Sequence, residues 1–84
     1  MPKRSYLNNF NNHVTVSFEP HCTRVRIWGT NKSSEVSLEM QANSAARQAL
    51  LKPVHKYSMR TGETAIGNDI VGKWIEVTYL EKRN

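Results

Sequence analysis

From His13 the chain alternates: Val14, Val16 and Phe18 are separated by Thr15, Ser17 and Glu19 and halted at Pro20. This period-two pattern predicts a half-buried strand. After the tight connection Pro20-His21-Cys22, a second strand is predicted from Thr23 to Trp28, with Val25 and Ile27 on one face and Arg24, Arg26 and Trp28 on the other. The segment Gly29-Thr30-Asn31-Lys32-Ser33-Ser34 supplies turn chemistry. Glu35 to Met40 then alternates again, predicting a third strand with Val36, Leu38 and Met40 inward.

The period changes beyond Met40. Asn43 or Ser44 is placed to cap a helix whose apolar positions Ala46, Ala49 and Leu50 recur at helical spacing, flanked by Ala42 and Ala45. Lys52-Pro53 ends that helix, because proline lacks a donor and restricts its predecessor; Pro53 can equally open a short turn through Val54 and Tyr57. Arg60 to Gly67 reads as loop. Ile70 to Leu80 reads as a long strand, with Ile75, Val77 and Tyr79 on one face and Trp74 and Leu80 on the other. A strand apolar on both faces is central or lies under a partner.

Residues 1–12 show no sustained periodicity. Lys3, Arg4 and four asparagines surround Tyr6, Leu7 and Phe10, the composition of a flexible polar and basic arm. The expectation is therefore one α+β domain over residues 13–84. Its architecture is a small antiparallel sheet of three to four strands with one helix on one face, in the order β-β-β-α-β, and the opposite face of the sheet is left open.

Length and composition narrow the function. A chain of 84 residues buries only about 60 to 65% of the surface exposed on unfolding, which leaves little core for a deep catalytic cavity. The single cysteine, Cys22, cannot form an intrachain disulfide, which points to a reducing compartment. The longest apolar run is Ala49-Leu50-Leu51, far short of the roughly 20 residues that span a bilayer. No membrane association and a cytoplasmic location are expected.

No catalytic, cofactor or metal constellation emerges. Gly67-Asn68-Asp69-Ile70-Val71-Gly72-Lys73 matches the start of a phosphate-binding loop, but Trp74 replaces the required Ser or Thr and a strand pattern follows where a helix is needed. His13, His21, Cys22 and His55 match no zinc spacing, and the seven carboxylates are scattered. The expectation is a protein without enzymatic activity.

The basic residues are more informative. Twelve Lys and Arg against seven Asp and Glu give a net charge of +5. Two stretches lack acids altogether: one carries Arg24, Arg26 and Lys32, the other Arg47, Lys52, Lys56 and Arg60. Together with Trp28 these eight residues are the candidate binding set, since guanidiniums pair with phosphate oxygens and an indole offers a stacking surface. The plainer expectation is that these cations pair with Glu35, Glu39 or Glu76 across neighbouring strands.

The leading functional expectation is a small basic protein that binds nucleic acid through the cationic and aromatic sheet face and the basic helix. The alternative is a small inhibitor or adaptor of the kind viruses use against host or defence factors, docking on the acidic protein surface of a nucleic-acid-processing machine. A homodimer joined through the C-terminal strand is a further expectation.

Overall fold

The computed structural model describes residues 3–51 and 54–81. Five strands and one helix follow in the order β1 (Lys3–Leu7), β2 (His13–Phe18), β3 (Thr23–Thr30), α1 (Glu35–Leu50), β4 (Val54–Ile66) and β5 (Asp69–Glu81). The strands form one antiparallel sheet in the spatial order β1-β2-β3-β5-β4. The α+β class and the single helix on one face agree with the sequence pattern. Among the described residues the strand count is five, above the expected three to four, and the order is β-β-β-α-β-β: β1 is added at the start, the expected third strand is lost to the helix, and β4 is inserted between the helix and the last strand.

The Glu35–Met40 strand is replaced by the first half of α1. Ser34 caps the helix in an extended conformation, its hydroxyl accepting from the amide of Ser37 at 3.1 Å, and Glu35 complements the positive end of the dipole. The buried positions Leu38, Ala42, Ala45 and Ala46 follow a helical period. Val36 and Met40, expected inward, are exposed on the outer side of the helix. Alternation over six residues is too short to outweigh a cap followed by three further turns of helical spacing. The helix ends at Leu50, shortly before the expected stop at Lys52-Pro53, and Leu51 takes the left-handed conformation while its amide bonds the Arg47 carbonyl at 2.9 Å.

The segment read as an arm contains β1, which pairs along β2 from Lys3↔Ser17 to Leu7↔His13. Its asparagines build the connection. The side-chain carbonyl of Asn8 accepts from the amides of Phe10 and Asn12 at 2.9 and 3.0 Å, and Asn11 adopts φ 61°. Asn8 and Asn12 each donate through Nδ2 to Oε1 of Gln41 on α1, at 2.7 and 2.8 Å. Asn12 and Gln41 are both buried, so this network satisfies polar groups that would otherwise be costly to enclose. It ties the first hairpin to the helix.

Arg60 to Gly67 is likewise strand. β4 and β5 form a long hairpin closed by Gly67-Asn68 between the paired Ile66 and Asp69. Gly67 sits at φ 62°, a conformation that the first central residue of a two-residue hairpin turn requires and that glycine adopts freely. β5 is held between β3 and β4 from Gly72 to Tyr79. It has no free edge there, so the expected dimer pairing through the C-terminal strand is not available along that stretch; the sheet's edges are β1 and β4.

The core lies between the sheet and α1. Val14 and Val16 from β2, Val25 and Ile27 from β3, and Ile75, Val77 and Tyr79 from β5 meet Leu38, Ala42, Ala45 and Ala46. Alanine on the inner helix face lets α1 approach the branched side chains of the sheet closely. Tyr79 donates its hydroxyl to Oδ1 of Asn43 at 2.5 Å, and burial, with a smaller effect of Glu39, pushes its pKa well above 10. A raised phenol pKa contributes stability that is complete below pH 10 and is lost as the pH rises beyond it. Tyr79→Phe should cost about 1 kcal/mol at neutral pH and flatten that alkaline loss, as read from denaturation midpoints at pH 8 and in strong alkali.

Candidate nucleic-acid interface

The side chains pointing away from α1 form an uncovered face of the sheet. β3 places Arg24, Arg26 and Trp28 there, as their alternation with the buried Val25 and Ile27 requires. The antiparallel register sets β5 beside them: Thr78 opposite Arg24, Glu76 opposite Arg26 and Trp74 opposite Trp28. β4 adds Arg60 opposite Glu76 and Gly62 opposite Trp74.

Arg26 is the centre of this face. Its guanidinium carbon lies 5.4 Å from the ring centroid of Trp28 and 5.5 Å from that of Trp74, within range of cation–π attraction to both. One terminal nitrogen meets Oε2 of Glu76 at 2.6 Å, while Nε is buried and finds no hydrogen-bond partner among the described residues. Arg60 bonds the other oxygen of Glu76 at 2.7 Å. Burial works to raise the Glu76 pKa, but hydrogen bonds from Arg60 and Arg26 outweigh it and hold the carboxyl below its ordinary 4.5. The stability this contributes is complete above pH 4.5 and is lost as the pH falls through the lowered value.

The two tryptophans are fixed differently. His13 meets Trp28 edge-on, with ring centroids 5.4 Å apart. The indole of Trp74 lies over Gly62, where a Cβ would collide with Cζ2, Cε2 and Nε1. Glycine is required at 62 by this close approach, and the ring in turn covers backbone that the glycine leaves bare.

Beside the aromatic pair, the face forms a trough of about 520 Å³ lined by Lys3, Ser5, Thr15, Ser17, Glu19, Arg24, Arg26, Trp28 and Glu76. The Ser5 and Thr15 hydroxyls are 3.3 Å apart, and Arg24 pairs with Glu19 at 3.1 Å. The trough thus combines hydroxyl donors with cations that keep substantial exposure.

Of the eight residues singled out from sequence, Arg24, Arg26, Trp28 and Arg60 come together here. Arg47 and Lys56 lie on the helix side: Arg47 is in the last turn of α1, and Lys56 pairs with Glu39 at 2.8 Å. Lys32 is exposed in the turn before α1, and Lys52 lies outside the described residues. The basic stretches are therefore divided between two sides of the molecule, and much of their charge meets Glu19, Glu39 and Glu76. Trp74, Lys3 and the β1–β2 hydroxyls join the site only through strand pairing, for which the sequence carries no local signal. The parity of β5 does place Trp74 and Glu76 opposite Ile75 and Val77.

A second concavity of about 450 Å³ is lined by Glu19, His21, Cys22, His55 and Tyr79 among others. Burial and the adjacent Glu19 raise the Cys22 pKa, which keeps the thiol protonated and a poor nucleophile. Among the described residues no group of three His, Cys, Asp or Glu side chains could hold a metal ion, and no helix is long and apolar enough to cross a membrane. Comparison with protein-family models, curated proteins and solved structures finds no significant match to this chain.

Proposed function

We propose that this chain is a non-enzymatic, cytoplasmic nucleic-acid-binding protein that uses the uncovered face of its sheet. The observation that carries this reading is the cross-strand pair Trp28 and Trp74 flanking Arg26, on a face that also bears Lys3, Arg24 and Arg60. Cations beside serine and threonine hydroxyls suit phosphate oxygens, and the half-buried indoles offer bases a stacking surface. The basic residues of the helix side are not needed for it.

The test is fluorescence anisotropy with labelled single- and double-stranded oligonucleotides. About two phosphate contacts, from Lys3 and Arg24, predict a fall in single-strand affinity of roughly sevenfold between 50 and 200 mM salt. Absence of binding to either form at 50 mM salt would overturn the reading.

One observation favours the second reading, a protein-docking inhibitor or adaptor. Ile66, Ile70 and Val71 are exposed at the end of the β4–β5 hairpin, where β5 has passed beyond its pairing with β3. Affinity capture from lysate with and without nuclease separates the two, since a protein docked through that tip survives nuclease.

A further inference from the structure

We infer that the nucleic acid taken by this face is single-stranded, with unpaired bases stacked at the Trp28–Trp74 pair and the sugar–phosphate backbone lying in the hydroxyl-lined trough. This rests on the nucleic-acid reading above and specifies its substrate class.

Three features of the face separate a single strand from a duplex. The first is the immobilised arginine. A sheet that reads a duplex does so with long polar side chains reaching base edges in a groove. The central candidate for that role, Arg26, is tied to Glu76 at 2.6 Å and lies between two indoles. It supports the aromatic platform and does not project from it.

The second feature is the platform itself. An indole gains stacking energy only from a base whose face is free, and in a duplex those faces are covered by neighbouring base pairs. Trp28 and Trp74 are directly opposed across β3 and β5, and Trp74 is seated on Gly62. These are fixed aromatic surfaces beside a backbone path, not wedges carried on a mobile loop.

The third is the shape of the trough. Its lining runs from Lys3 and Ser5 on β1 to Glu76 on β5, and three strand spacings make it roughly 14 Å across. Lys3, Ser5, Thr15, Ser17 and Arg24 lie within it. A single backbone can descend among these donors, whereas a convex duplex would meet only the rims.

The experiment compares three probes of equal length at 50 mM salt: a single-stranded oligothymidylate, an abasic single strand of the same charge, and the matching duplex, which carries twice that charge. Binding is read by anisotropy and by quenching of tryptophan fluorescence. The expected result is that the base-bearing single strand binds about tenfold more tightly than either alternative and alone quenches strongly. Trp28→Leu, which keeps apolar bulk, should weaken the oligothymidylate about tenfold while leaving the abasic strand unchanged, with folding checked by circular dichroism. Equal binding of all three probes, or tighter binding of the duplex, would overturn the single-strand inference and leave the nucleic-acid reading standing. Failure of every probe to bind would overturn both.

Discussion

Glu76→Gln should weaken the fold and, under the proposed nucleic-acid reading, strengthen binding of single strands at the same time. The carboxylate receives hydrogen bonds from Arg26 and Arg60, so its neutral replacement leaves two guanidiniums without their counter-charge. The Arg26 and Arg60 side chains are 39% and 68% exposed, and water therefore solvates much of the freed charge. The stability cost is accordingly about 1 to 2 kcal/mol, below the 3 to 5 kcal/mol of a fully enclosed pair.

The same substitution makes two cations available to phosphates. Each added contact steepens the salt dependence of single-strand binding by about 0.7 in log–log slope, so the slope should rise by about 1.4 and affinity at low salt should increase on the order of tenfold. Parallel denaturation and anisotropy titrations measure both effects. A well-folded variant with an unchanged slope would show that Arg26 and Arg60 do not face the ligand.

Ile27→Ala should be the most damaging single truncation. Ile27 is completely buried and is among the largest fully enclosed side chains. It lies on the central strand β3, opposite Val14 on one side and Ile75 on the other. Because neighbours on both strands are held by backbone pairing, the cavity cannot collapse easily, and the cost should be about 3 to 4 kcal/mol. An 84-residue domain has a total stability of only about 4 to 13 kcal/mol. The melting temperature should fall by about 12 to 30 °C. A fall of only a few degrees would mean that this part of the core repacks.

The legibility of the fold followed the length and cleanness of each period. β2 and β3 were readable because strict alternation coincided with burial of one face, and the inner face of β5 was readable for the same reason. The first half of α1 resembles a strand in the sequence because Val36, Leu38 and Met40 alternate with polar residues. The discriminating signals were Ser34 followed by Glu35, and the spacing of Leu38, Ala42, Ala45 and Ala49. Arg60 to Gly67, which takes in the second half of β4, reads as loop from composition, although Gly67-Asn68 is a recognised two-residue hairpin turn. That turn, set against the Ile70–Leu80 strand, would have implied a partner upstream.

For the site, Arg24, Arg26 and Trp28 could be assigned to one face because that depends only on parity within one strand. Their neighbours could not, since Trp74 and Glu76 arrive through a pairing between residues about fifty positions apart. The loss of Arg47 and Lys56 from this face has the same origin. Sequence proximity of cations says nothing about which side of a sheet they occupy.

The position of β5 also bears on how the chain acquires its structure. β3 and β5 are adjacent in the sheet yet separated in sequence by α1 and β4, so the decisive pairing closes a long loop and demands a large loss of chain entropy before it is rewarded. The β4–β5 hairpin has only a two-residue closure and can form locally and early. A ribosome-bound chain cut off before β5 therefore lacks Ile75, Val77 and Tyr79 from its core and the tryptophan partner of Trp28. Completion of the Trp28–Trp74 face and completion of folding should appear together, in one cooperative step, as the segment beyond Gly67 leaves the exit tunnel.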